Sequence, residues 1–122
     1  MIVKPHDRFS IEHQLTREAM SQQAYAVGDT NPVHHSAEFA AGTRYQRPIA
    51  SGTHTTALIL ALTASHFSRA AAMVGLEFWV GFKRPIYADE LIKLEWLVIK
   101  VTPNARLRGD IVELREIGRA HV

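Results

Sequence analysis

The 122-residue sequence contains no cysteine, which removes disulfide frameworks, thiolate zinc sites and cysteine nucleophiles together. A chain without thiols fits a reducing compartment, so a soluble cytoplasmic protein is expected. Long apolar runs are missing as well. The longest, Ala57 to Ala64, is interrupted by Thr63, and the N-terminal MIVKPHDRFS has no stretch of signal-peptide length, so no membrane association is expected. Dense basic stripes are the third absence. Fourteen Lys and Arg against twelve Asp and Glu give a net charge of +2, with Arg44/Arg47, Lys83/Arg84 and Arg106/Arg108 the only close basic pairs. A nucleic acid duplex wants a denser footprint, so the pattern favours a phosphate-bearing small ligand and no nucleic acid partner. Repeats, low-complexity segments and linkers are absent too. What is present is an ordinary folded composition, 47% hydrophobic and 21% charged, sufficient for one domain with its own core.

Residues 1–5 read as a loose arm. Arg8 to Gln14 alternates Phe9, Ile11 and His13 with polar residues, the pattern of a half-buried strand. Thr16 then offers an N-cap for a helix over residues 17–27, which Gly28 ends. Ser36 caps a short helix to Ala41, and residues 43–49 form a loop. Ser51 to about Ala72 predicts the longest helix, and because Ala57 to Ala64 is apolar on every side, it is expected to be enclosed by protein. Leu76, Phe78, Val80 and Phe82 alternate with their neighbours, predicting a strand over residues 76–83. Two further strands are predicted over residues 90–101 and 107–117, with Pro103-Asn104 as the turn between them and Lys93 and Glu95 on a solvated face. The order is that of an α+β domain with an antiparallel sheet wrapped around one helix.

Chemistry concentrates in YAVGDTNPVHHSAEFA, Tyr25 to Ala40. Asp29 and His34 share a tight, proline-stiffened loop and can converge on one small volume, as acid/base work on a water requires. A plainer account is also open: Asn31 caps a helical turn begun by Pro32, and Asp29 bonds backbone amides in an Asx-turn. His35 is expected to be a surface or structural residue.

Several stretches together resemble the MaoC-like dehydratases, a hotdog-fold group that includes R-specific enoyl-CoA hydratases. These are Tyr25 with Gly28-Asp29-Thr30-Asn31-Pro32-Val33-His34, then Phe39-Ala40, Arg47-Pro48-Ile49-Ala50-Ser51-Gly52, and Phe82-Lys83-Arg84-Pro85-Ile86-Tyr87-Ala88-Asp89. The resemblance implies a hotdog fold over residues 1–122, a curved antiparallel sheet around a central helix. It implies hydration or dehydration of an enoyl thioester, with Asp29 and His34 handling the water and the Gly52 N–H binding the thioester oxygen. Asn31 and Ser51 would support them. Arg47, His54, Lys83 and Arg84 are the candidates for binding the substrate's phosphates or lining its pocket, and Leu58, Leu62 and Phe67 for the acyl tunnel.

The sequence departs from the family pattern at Ser51, where the family has histidine, and at Ala88, where it has glycine. The family pattern also runs past Gly118 into a further strand, so that strand is expected to be very short or missing, or the sheet completed by a partner. A metal site from Asp29, His34, His35 and His54 has no recognisable ligand spacing, and neither metal nor cofactor is expected. An acyl-CoA thioesterase and a non-catalytic acyl-binding subunit of a hetero-oligomer are the competing readings. In each case a homodimer or larger assembly is expected, because a curved sheet of this size leaves an open edge.

Overall fold

The computed structural model describes residues 2–121. Strand β1 (Arg8–Gln14) leads into helix α1 (Arg17–Ala26), a 3-10 turn (Pro32–His34), the short helix α2 (Ala37–Ala41) and the long helix α3 (Gly52–Phe67). Strands β2 (Leu91–Asn104), β3 (Gly109–Glu116) and β4 (Arg119–His121) follow. β2 is the centre of the sheet, with β1 antiparallel on one side and β3 antiparallel on the other. β4 also pairs with β2, joining Leu91 to His121. α3 lies across one face of this sheet, the arrangement predicted from the element order.

Local chemistry sets the helix ends. The Thr16 hydroxyl accepts from the Ala19 amide and Ser36 from the Phe39 amide, each replacing a bond that the first turn of a helix lacks. Gly28, at φ +84°, turns the chain out of α1 through a left-handed conformation that residues with a Cβ seldom adopt.

Along β2, Ile92, Leu94, Trp96 and Val98 are buried while Lys93 and Glu95 pair at 3.6 Å on the other face, as the alternation predicts. Two core clusters join the layers. Leu15, Met20, Ile92 and Leu94 pack with Leu58 and Leu62, and Phe9, Phe67 and Trp96 form the second group. The Trp96 Nε1–H donates to the Ile59 carbonyl at 2.8 Å, fastening α3 to the sheet.

Five expectations are corrected. The arm is tied down from Val3 onward: Val3 packs on the Phe9 and Trp96 cluster, and the Lys4 amide donates to Asp7. Met1 falls outside the described residues. Ile11 is 49% exposed although it alternates with Phe9, because the core beneath β1 is centred on Phe9. α3 stops at Phe67, capped by Ser68, and its small residues Ala57, Ala61 and Ala64 are exposed within this chain, so the helix is enclosed on one side only.

The turn before β3 falls at residues 105–108, with the Asn104 side chain accepting from the Leu107 amide; Pro103 lies within β2. The β1 ladder ends at Leu97 and the last bonds on that side join Val98 to His6 and Asp7, so at Pro103 β2 has a neighbour on one side only, and an edge tolerates a missing N–H. Finally, residues 76–83 form no strand: the segment has no regular structure, and its backbone makes no hydrogen bond among the described residues. Alternation specifies which side chains share a face, whereas a ladder needs a neighbouring strand, and the register of the sheet provides none here.

Candidate active site

The segment that forms no ladder still builds a wall. Phe78, Val80 and Phe82 face α3 across a cleft of about 660 Å³. Thr56, Ala57 and Leu60 line its helical side, while Asp29, Ser51, Gly52 and Thr53 form its polar end. This size is ordinary for a small-molecule site. Leu58, Leu62 and Phe67, the expected tunnel residues, lie on the sheet side of α3 in the core. The helical period explains the exchange, since positions 53, 56, 57 and 60 share one stripe and 58 and 62 another.

Asp29 enters the polar end directly after α1. Its amide donates to the Ala24 carbonyl at 2.8 Å, and its Oδ1 accepts from the Asn31 amide at 3.1 Å, closing the expected Asx-turn. Asn31 in turn accepts from the Val33 amide at 3.2 Å and so starts the 3-10 turn that carries His34. The local turn and the convergence of Asp29 with His34 therefore coexist. Asp29 Oδ2 lies 3.4 Å from His34 Nε2 and accepts from the Ser51 hydroxyl at 2.6 Å.

The protons in this cluster can be placed. A carbonyl only accepts, so His34 Nδ1, 2.7 Å from the Ile49 oxygen, carries a hydrogen. In the neutral ring Nε2 is then the lone-pair nitrogen, and it points at the Asp29 carboxylate. Ser51 has one hydrogen and gives it to Asp29, while its oxygen accepts from the Thr53 amide at 3.2 Å as the cap of α3. The Ser51 hydroxyl does most to hold the Asp29 carboxyl below its ordinary value of 3.8, followed by the Asn31 N–H. Partial burial opposes them, and the charges of His34 and His35 add to them. Asp29 is thus anionic at neutral pH.

Gly52 begins α3. Ser51 satisfies the next three amides, Thr53 through its hydroxyl and His54 and Thr55 through its carbonyl, leaving the Gly52 N–H without a protein partner among the described residues. A Cβ at Gly52 would lie 2.9 Å from the tip of the Phe82 ring, so the missing side chain makes room for that ring.

The remaining candidates lie off the cleft walls. Arg47 stacks on Tyr87, its guanidinium carbon 4.0 Å from the ring centre, and Lys83 and Arg84 are exposed. His54 is 7% exposed, and its Nδ1 has no hydrogen-bond partner among the described residues. Burial, with a smaller contribution from His13, pushes its pKa below the ordinary 6.5. The folded chain thus resists a proton that the unfolded chain accepts below pH 6.5, so stability is full above that pH and falls as pH drops below it. His66, also depressed by burial, adds a slope of the same sign. His54→Leu is expected to lessen the fall in melting temperature between pH 7.5 and 5.5; an unchanged fall would refute the assignment.

The sequence reading missed the surroundings of His35. Its ring stacks on Tyr25 with centroids 3.7 Å apart, and its two nitrogens contact Ser21 Oγ at 2.6 Å and the Asp29 carbonyl at 2.8 Å. The only advance signal was that Ser21 and Tyr25 are four apart, on one face of α1.

A family model described as the MaoC like domain matches residues 3–115. The chain belongs to the MaoC-like family. Among curated relatives, this MaoC-like chain is similar to a 3-hydroxybutyryl-CoA dehydratase of Methylorubrum extorquens, 30% identical over 83 residues. The match covers 68% of this chain and 52% of that protein, so the chain spans about half the length of the relative.

Among solved structures it is similar to a MaoC-like dehydratase from Rhodospirillum rubrum, with TM-score 0.76, 21% identity and coverage of 97% of this chain and 82% of that one. The (R)-hydratase from A. caviae gives 0.74, 18%, 97% and 94% in the same order. A truncated HadBC complex from Mycobacterium tuberculosis, a 3R-hydroxyacyl-ACP dehydratase, gives 0.77, 22%, 95% and 85%. These likenesses establish the hotdog fold. Among the described residues, no helix is long and apolar enough to cross a membrane, and no group of three or more histidine or acidic residues could hold a metal ion.

Proposed function

We propose that this MaoC-like chain adds water to a trans-2-enoyl thioester, or removes it from the R-3-hydroxyacyl product, with coenzyme A or an acyl carrier protein as the thiol. The observation that carries this reading is the 3.4 Å approach of His34 Nε2 to Asp29 Oδ2 at the polar end of an apolar cleft. Both atoms can touch one water. With Nδ1 committed to Ile49, the Nε2 lone pair takes a proton from that water as its oxygen bonds the β-carbon. The electrons of the double bond move toward the thioester carbonyl, whose oxygen accepts from the Gly52 N–H at the positive end of α3. The Nε2–H then protonates the α-carbon on the same face. Asp29, held anionic by Ser51, balances the imidazolium in between. Asn31 sets the turn, and the acyl chain extends along Thr56, Ala57 and Leu60. The names of the relatives support the reaction class.

The proposal includes a second copy of this chain. Residues 76–83 present backbone groups unpaired among the described residues and large apolar side chains, with Trp79 89% exposed. The same segment of another copy offers matching donors and acceptors.

Purified protein incubated with crotonyl-CoA decides between the readings. Loss of enoyl-thioester absorbance without thiol release is expected, with light scattering giving at least two chains per particle. Thiol release would indicate a thioesterase, and no change would indicate an acyl-binding subunit. A single-chain mass would overturn the assembly.

A further inference from the structure

The adjacent histidines of the loop hold Asp29 from two sides. His34 faces its carboxylate, whereas His35 turns toward α1 and reaches the main chain of the same residue. The Asp29 carbonyl can only accept, so His35 Nε2 donates to it at 2.8 Å. In the neutral ring Nδ1 is then an acceptor, and it receives the Ser21 hydroxyl at 2.6 Å. Tyr25, one turn after Ser21 on α1, covers the ring at 3.7 Å and 20°. Both ring nitrogens and one ring face are therefore fixed, each of these three contacts leading either to α1 or to Asp29, and the His34 ring meets His35 edge-on at 6.3 Å. The two groups that bond the carboxylate, Ser51 and Asn31, lie on α3 and in the loop. Without His35, side-chain ties from α1 to this loop would reduce to none of those described, leaving the Asp29 amide on Ala24.

We infer that His35 is a positioning residue for the proposed reaction, a clamp through which Ser21 and Tyr25 hold the backbone of Asp29 so that its carboxylate meets Ser51 and His34 together. This rests on the hydratase reading for its catalytic consequence, not for its geometry. Removing the clamp lets the carboxylate drift from its partners, and a displacement near 1 Å costs up to about 100-fold in rate.

The experiment compares His35→Gln, His35→Asn and His35→Phe in the full chain. Glutamine carries an N–H donor near the position of Nε2 and keeps the bond to Asp29; asparagine is too short to reach it, and phenylalanine keeps only the stacking. Crotonyl-CoA kinetics are measured beside the Asp29 Cγ carbon-13 shift at neutral pH, which reports the carboxylate's hydrogen bonds without substrate. Asparagine and phenylalanine are expected to lower kcat by about 10- to 100-fold with KM little changed and to move the Asp29 shift, and glutamine to keep most of both. An unmoved shift in the asparagine and phenylalanine variants, or equal losses in all three, would overturn the inference. If the wild-type chain does not hydrate crotonyl-CoA, the function is wrong and the carbon shift alone decides the clamp.

Discussion

Asp29→Asn is expected to lower the hydration of crotonyl-CoA by about 10³-fold, within the usual worth of a group assisting proton transfer. In free energy this is ~4 kcal/mol of lost transition-state stabilisation. The amide fits the same space: its one oxygen can keep the bond from the Asn31 amide while its NH2 donates to the Ser51 oxygen, whose hydrogen turns to the Thr53 hydroxyl, so the loop and the cap of α3 should persist. What disappears is the negative charge beside His34 Nε2, which would otherwise offset the imidazolium formed when water gives up its proton. His34→Ala removes the proposed proton carrier itself and should cost at least as much. The measurement is kcat/KM for each variant beside its melting temperature. Full activity with a lowered melting temperature in Asp29→Asn would mean that the bond from Asn31 is the whole role of this carboxylate.

Trp96→Ala should have the largest effect on stability, a loss of roughly 3–5 kcal/mol by urea unfolding. Trp96 is 8% exposed, shares a core cluster with Phe9 and Phe67, and donates to Ile59 on α3. Truncation opens a cavity where sheet and helix meet and releases the helix whose first turn holds Ser51 and Gly52. Against a typical domain stability of about 5–15 kcal/mol, that leaves a marginal fold. Trp96→Phe keeps most of the apolar contact and loses the donor, so a smaller loss is expected. Equal losses in the two variants would place the effect in the hydrogen bond, and a loss under ~1 kcal/mol for Trp96→Ala would contradict the packing argument.

The site was partly legible because several of its determinants are local. Gly28, Asn31 and Pro32 announce a turn, and the turn alone brings Asp29 and His34 near one another. Gly52 could be placed at a helix start for the same reason. Ser51 could not be read so directly: the sequence placed it at the start of the long helix and marked it as a departure from the family's histidine, while its cap of α3 and its bond to Asp29, 22 positions away, came from the structure. His35 was read as a surface or structural residue, without any sign that its contacts converge on Asp29. The charged candidates Arg47, Lys83 and Arg84 show the opposite limit, because a basic side chain is compatible with many surface positions and nothing local ties it to a cleft.

By itself the sequence determined the element types outside residues 76–83, most of their ends and the turn that pairs Asp29 with His34, because caps, glycine turns and periodicity act within a few residues. The tertiary structure decided which stripe of α3 faces the cleft, where the hydrogen of Ser51 goes, which nitrogen of His34 is free, and that residues 76–83 have no ladder in this chain. Those outcomes depend on how α1, the loop, α3 and the sheet dock. Docking is settled by packing and hydrogen bonds between segments far apart in the chain, which no local pattern encodes.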